Sequence, residues 1–289
     1  MALTNPRRER MSSCLVCEAD VPPDSRLYGS LRRCPGCGFV FAEVELSDGD
    51  IRQIYQAPYF AGDEYADYLK DKHVLQKNFA RRIETLSRFS SGGRLYEIGA
   101  AYGFFLELAQ VRWRVEGIDI AEEACSYARE QLRLDVRCGD FLETPLETDG
   151  YDVFCMWDTI EHLREPDRYL EKIACHLRRG GYLVLTTGDI GSWSARLQGK
   201  HWRLIHPPTH LYYFSVQTMT RFLDRYGFDV VHLSHPGYYR SLKTMARWFL
   251  TRFGRCGEDM YSRARNAVWM RKAIYVNLFD IMFAIARKR

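Results

Sequence analysis

Four thiols lead the residues able to do chemistry. Cys14 and Cys17 form one pair, and after sixteen residues Cys34 and Cys37 form another. Each Cys-x2-Cys pair aims two sulfurs at one point, the spacing of a four-thiolate zinc ribbon. Pro35-Gly36 and Gly38 supply the turn of the second pair. Four thiolates close a tetrahedron and leave no position for water or substrate, so the expected Zn2+ is structural. Cys125, Cys138, Cys155, Cys175 and Cys256 are scattered singly, which suits a reducing compartment.

A second group lies in Leu95-Tyr96-Glu97-Ile98-Gly99-Ala100-Ala101-Tyr102-Gly103-Phe104, where an apolar run gives way to a helical pattern. Gly99 permits a tight turn, and Gly103 lets the helix approach a ligand closely. A dinucleotide pyrophosphate asks for G-x-G-x-x-G, but Ala101 stands at the second glycine and no third follows. A P-loop is absent as well. The turn instead carries Glu97, an acid that a cationic amino acid would welcome. Asp119, with Ile120 after it, ends the next apolar run, where a carboxylate accepts two ribose hydroxyls. In Gly139-Asp140-Phe141, Asp140 suits an adenine amino group and Phe141 borders the ring. An adenosyl ligand fits these residues together.

A third group follows Tyr151–Trp157: Asp158, Glu161 and His162. A neutral imidazole takes a proton near neutral pH, and a carboxylate beside it can orient the ring. His162 and His210 are the two candidate bases, against the plainer reading of His162 as a helix-packing residue. The segment Gly188–Tyr213 carries Trp193, Trp202, His206, His210, Tyr212 and Tyr213. It reads as a lid that stacks on a sugar or ring, or else as a self-packed cover.

These groups need a scaffold. Strand patterns at Arg94–Ile98, Arg114–Asp119, Asp135–Cys138, Tyr151–Trp157, Tyr182–Thr187 and Phe228–Leu233 alternate with helical ones at Phe104–Val111, Ala121–Leu132, Asp167–Leu177 and Val216–Tyr226. Such alternation predicts a doubly wound α/β fold with a parallel sheet. Asp48–Ser91 reads as helical, with Ile51, Ile54 and Tyr55 on one face. The expected division is a flexible leader over 1–13, a zinc ribbon over 14–45 and a helical linker or cap over 46–91. An adenosyl-binding core follows over 92–236, a basic helical insertion over 237–277, and a final strand over 278–289.

On those motifs the chain resembles the class I S-adenosylmethionine-dependent methyltransferases. The turn Glu97–Gly103 matches their first motif, with Ala101 as a departure, and Asp119 matches the acid of their second. Tyr151–Asp158 matches their fourth strand and Gly180–Leu185 their fifth. The resemblance implies a seven-stranded Rossmann-like sheet closed by an antiparallel strand at Asp280–Arg287. It also implies that Glu97, Gly99, Ala101, Gly103, Asp119, Ile120, Asp140, Phe141 and Asp158 hold S-adenosylmethionine. The ribbon, Glu161–Pro166, Gly199–Trp202 and Pro208–Phe214 resemble bacterial methyltransferases with an N-terminal zinc ribbon, associated with sugar, glycan or secondary-metabolite modification. The expected acceptor is therefore a sugar, glycolipid or related metabolite, methylated at O, N or C.

Charge leaves other partners to consider. Gly237–Arg289 holds 12 Lys+Arg against 3 Asp+Glu, while the rest of the chain holds 29 against 34. A basic tail suits an anionic membrane, a lipid-linked substrate or a nucleic acid. The amphipathic run Leu242–Phe253, with Leu242, Met245, Phe249 and Phe253 on one face, reads first as a core-facing helix with charged edges, and second as one that lies on an anionic bilayer or grips a lipid-linked diphosphate. An RNA- or DNA-directed methyltransferase is disfavoured, since Asp158-Thr159-Ile160-Glu161 stands where base-amine enzymes carry Asn/Asp-Pro-Pro-Tyr/Phe. A catalytically silent cofactor-binding protein is the remaining alternative. With neither a signal peptide nor a membrane span, the expected location is the cytoplasm, including the inner face of the membrane.

Overall fold

The two cysteine pairs fold into the same turn. The Glu18 amide donates to the Cys14 carbonyl (2.8 Å), as the Gly38 amide does to Cys34 (2.9 Å). Glu18 and Gly38 take matching left-handed φ values of 61° and 77°. The chain then forms an antiparallel meander of β1 (Arg26–Tyr28), β2 (Leu31–Arg33) and β3 (Val40–Ala42). This is a computed structural model, and it describes residues 13–44, 68–250, 254–264, 267, 270 and 272–289. The expected leader, and Ile51, Ile54 and Tyr55 of the expected linker helix, lie outside the described residues.

Helix α1 (Lys72–Leu86) buries Val74, Asn78, Phe79, Arg82 and Leu86 along one face. Alternating units follow: β4 (Arg94–Ile98), α2 (Phe104–Ala109), β5 (Arg114–Asp119), α3 (Glu122–Leu132) and β6 (Val136–Cys138). Next come β7 (Tyr151–Trp157), α4 (Pro166–His176) and β8 (Leu177–Gly188). Helix α5 (Trp193–Gln198), strand β9 (Tyr212–Tyr213), helix α6 (Val216–Arg225) and strand β10 (Phe228–Ser234) complete this stretch. Ser215 and Thr218 start α6 with a reciprocal capping box.

Beyond Gly237 the expectation of helices throughout is corrected. Strand β11 (Tyr238–Ser241) and strand β12 (Ala273–Val276) pair antiparallel around α7 (Leu242–Leu250) and α8 (Gly254–Ala264). Tyr238-Tyr239 and Ile274-Tyr275-Val276 are β-branched or aromatic, so pairing overrides the helical pattern. Phe253 and the side chain of Phe249 lie outside the described residues. Among the described residues no helix is long and apolar enough to cross a membrane. The chain ends in β13 (Ile281–Lys288).

Seven strands form one sheet in the order β10-β13-β8-β7-β4-β5-β6. Strand β13 runs antiparallel to both β8 and β10, as expected of the closing strand. The chain leaves β4 for β5 and β6 on one side, then returns to β7 on the other. The β4/β7 boundary is thus the switch point, where open α/β sheets bind ligands at the strands' carboxyl ends. Strand β7 is almost wholly apolar because both its faces are covered. One core cluster joins Phe154, Met156, Ile173 and Phe222 to Phe39 and Cys14 of the cysteine unit. The opposite cluster joins Leu95, Phe105 and Trp157 to Phe79.

The cysteine unit is continuous with the core. Strand β3 pairs with β9, Val40 opposite Tyr213 and Phe41 opposite Tyr212. The expected open loop over 188–213 is therefore partly regular, with α5 at its start and an edge strand at its end. Phe214 fills this seam at 0% exposure, its ring 5.0 Å from that of Phe39 and 5.6 Å from that of Phe222. Phe214→Ala is expected to lower unfolding stability by about 3–5 kcal/mol in urea titrations.

Candidate active site

Asp119 organises the glycine turn. Its carboxylate accepts from the Ala101 amide (2.7 Å) and the Ala121 amide (2.9 Å), tying the ends of β4 and β5 together. The amides of Gly99 and Ala100 both donate to the Ile118 carbonyl, at 2.9 and 3.0 Å. Gly99 and Gly103 hold φ at 77° and 76°, and Ala101 holds 46°. A Cβ on Gly99 would lie 2.7 Å from the Thr159 hydroxyl, so β7's continuation packs directly on the turn. Ala101 fits because its left-handed backbone is anchored by Asp119, where a dinucleotide turn would use glycine.

Glu97 sits 2% exposed at the end of β4, and among the described residues its Oε2 has no hydrogen-bond partner. Burial pushes its carboxyl well above the ordinary range; neighbouring Asp119 adds to this, and Arg82 opposes it. A buried acid of this kind calls for a cationic group from a ligand. Ile120, 46% exposed at the end of β5, offers an aliphatic surface beside Asp119. Asp140 is exposed, with Oδ1 accepting from the Leu142 amide (2.8 Å) and the Tyr169 hydroxyl (3.1 Å). The expectation for Phe141 is corrected. Its ring is packed among Tyr96, Phe154 and Tyr169 at 1% exposure, so no face remains for an adenine.

At the end of β7, Asp158 takes a left-handed φ of 50° and donates its amide to the Thr186 carbonyl and hydroxyl, both at 3.0 Å. Its carboxylate pairs with Arg82 at 3.4 Å. Arg82 also lies over the Trp157 ring, 4.7 Å from its centroid, and donates to the Tyr238 hydroxyl at 3.3 Å. Arg82 was absent from the sequence expectations. The signal was available, since Phe79, Ile83 and Leu86 mark α1's inner face and Arg82 falls beside them.

A 3-10 turn, Ile160–His162, then brings Glu161 and His162 against the far loop. The ring of His162 lies 4.5 Å from that of His210, edge to face. Nδ1 of His162 is 2.9 Å from the Thr209 carbonyl, and Nδ1 of His210 is 2.9 Å from the Leu204 carbonyl. A carbonyl only accepts, so both rings carry their proton on Nδ1. Burial lowers the His210 pKa to about 4, with His206 adding to the effect. A base that weak takes protons poorly near neutrality, which corrects the expectation of His210 as a general base. His162 is also tied by its ring to the backbone. The aromatic lid divides. Trp193 is 63% exposed, whereas Trp202, His210 and Tyr213 are buried. Trp202 donates its indole N–H to Asp280 at 3.1 Å, and the Tyr213 hydroxyl donates to the His210 carbonyl at 3.0 Å. Most of the loop is therefore cover.

In the cysteine unit, whose β3 pairs with the end of that loop, the four cysteines converge. One ligand atom from each of Cys14, Cys17, Cys34 and Cys37 lies within 4.8 Å of the others. The Cys14–Cys37 and Cys17–Cys34 sulfur pairs are 3.5 and 3.6 Å apart. A tetrahedral zinc site with Zn–S near 2.3 Å has sulfur edges of about 3.8 Å. The thiol geometry matches that expectation.

A family profile described as methyltransferase domain matches residues 71–233, more than half of the chain. The chain belongs to the methyltransferase-domain family. The chain is 28% identical over 149 residues to a Mycolicibacterium smegmatis protein named probable S-adenosylmethionine-dependent methyltransferase, covering 51% of this chain and 56% of that one. It is 26% identical over 181 residues to the mitochondrial ubiquinone biosynthesis O-methyltransferase of Candida albicans, covering 58% and 54%. The chain thus spans a little over half the length of these curated relatives. Among solved structures, Haemonchus contortus phosphoethanolamine N-methyltransferase 2 in complex with S-adenosyl-L-methionine shares the fold. Its TM-score is 0.53 at 17% identity, covering 86% of this chain and 61% of that one.

The buried Glu97 carboxyl has a testable consequence. The raised Glu97 pKa contributes stability that is fully present below the ordinary carboxylate value of 4.5 and is lost as pH rises through the folded value. The cofactor-free protein should therefore lose thermal stability as pH rises above the ordinary carboxylate range, and Glu97→Gln should lose less of it. The same substitution should weaken S-adenosylmethionine binding by roughly ten- to a hundredfold in calorimetry, because a charge-assisted partner is gone.

Proposed function

We propose that the protein transfers the methyl group of S-adenosylmethionine to a small-molecule acceptor, a sugar, glycolipid or related metabolite. The observation that carries this reading is the buried Glu97 carboxylate, unpartnered at Oε2 among the described residues, beside a turn built for close approach. The ligand has what that acid asks for: an ammonium on its amino-acid end. Asp119 faces the ribose hydroxyls with lone pairs beyond those given to the Ala101 and Ala121 amides. Ile120 covers the adenine, and Asp140 accepts from its amino group.

S-adenosylmethionine supplies a methyl group already activated on a sulfonium sulfur. The chain's own task is to align the acceptor and keep water away. The Asp158–Arg82 pair, held by Trp157 and Tyr238, forms a rigid wall at the end of β7 for this purpose. The relative named for ubiquinone biosynthesis favours a small metabolite over a nucleic acid. Zinc at Cys14, Cys17, Cys34 and Cys37 belongs to the same reading, as the brace for β3 and its partner β9.

Three measurements test this. Calorimetry should show one S-adenosylmethionine per chain, and labelled methyl should enter a low-molecular-mass fraction of a cell extract. No binding, or label only in nucleic acid, would overturn the respective claim. Metal analysis should find one zinc at the thiolates under reducing conditions. Replacing Cys34 and Cys37 by Ser should abolish it and lower the Tm, because ligand loss is folding free energy lost.

A further inference from the structure

Glu161, His162 and His210 come together in a way that the methyl-donor site does not use. One ligand atom from each lies within 4.8 Å of the other two. Glu161 is 4% exposed and His210 5% exposed, so the cluster is built into the fold. Both imidazoles donate Nδ1–H to a main-chain carbonyl, of Thr209 and of Leu204, each at 2.9 Å. That hydrogen bond leaves the ring lone pair on Nε2 and fixes each ring's orientation. It is the outer support that metal-binding histidines characteristically have. The backbone is supported too, since the Leu211 amide donates to the Glu161 carbonyl at 2.8 Å.

The geometry points to a second metal site: Glu161, His162 and His210 hold a first-row divalent cation. Two imidazoles and a carboxylate suit such ions, and three protein ligands leave coordination positions open. The site differs in kind from the thiolates at Cys14–Cys37, where four ligands close the shell.

Position says what the open positions take. Thr159 packs against Gly99, and the 3-10 turn carrying Glu161 and His162 begins at the next residue. The His162 amide donates back to the Thr159 carbonyl at 3.0 Å. The cation would thus sit at the same switch point as the glycine turn, at the end of the neighbouring strand. A hydroxyl oxygen coordinated there loses its proton to water more readily than in solution. On the proposed methyl transfer, the acceptor class is a hydroxyl compound, bound through oxygen. That clause rests on the functional reading above; the metal site itself does not.

Mn2+ tests the site, because it prefers carboxylate and imidazole to thiolate. The full chain, with its thiolate zinc quantified, is dialysed free of other metals and titrated with Mn2+ while electron paramagnetic resonance reads the free ion. One saturable site per chain is expected. Glu161→Gln and His162→Ala should each weaken it at least tenfold, with circular dichroism and S-adenosylmethionine calorimetry unchanged. His206→Ala, beside the cluster but outside it, should leave it intact. No saturable Mn2+ site in the wild type would overturn the inference, as would equal binding in Glu161→Gln and His162→Ala. Neither outcome touches the donor site, whose failure would show in the calorimetry alone.

Discussion

Five residues of main chain, Thr209 to Tyr213, hold the working edge of this protein together. The Thr209 carbonyl takes the ring of His162, and the Leu211 amide reaches the Glu161 carbonyl. The Ala42 amide donates to the Leu211 carbonyl at 2.8 Å, and Tyr212 and Tyr213 pair with β3. One extended segment thereby satisfies backbone groups on the end of β7 and on the cysteine unit together. Buried main-chain groups must be paired somewhere, and here the pairing decides where the side chains stand. Moving the cysteine unit would move β9, and with it His210.

The two ends of the active site answer to different physics. The donor end is a matter of close backbone approach and one buried acid. Gly99 and Gly103 clear the space, Asp119 spends its oxygens on the turn's amides, and Glu97 is left in a dry position. The acceptor end is a matter of rigid support. Arg82 is clamped between Asp158, Trp157 and Tyr238, and the two imidazoles are clamped by carbonyls. Such preorganisation suits a reaction whose methyl group is already activated, where alignment rather than bond polarisation of the donor is the remaining demand.

Much of this was legible in the residues. Strand β7 announced itself as an unbroken apolar run, and β4 by the turn that follows it. The cysteine spacing foretold converging sulfurs, because Cys-x2-Cys fixes local geometry whatever the rest of the fold does. The misses came where distant contacts decide. Phe141 looked like a ring beside a ligand, but Tyr96, Phe154 and Tyr169 claim it from three separate elements. Tyr238–Ser241 carried a helical pattern and became a strand because Ala273–Val276 was there to pair with it. His210 looked like a base, and only the fold shows that it is buried. Arg82 showed its place on an apolar helix face, yet its partner Asp158 lies 76 residues away.

The central claim is that the ends of β4 and β5 hold S-adenosylmethionine, and hydrogen exchange reads it residue by residue. With saturating S-adenosylmethionine, amide exchange should slow most over Gly99–Gly103 and Asp119–Ala121, where the turn and its clamping aspartate meet the ligand. Binding that leaves those amides unchanged, while protecting another surface of the protein, would contradict the account.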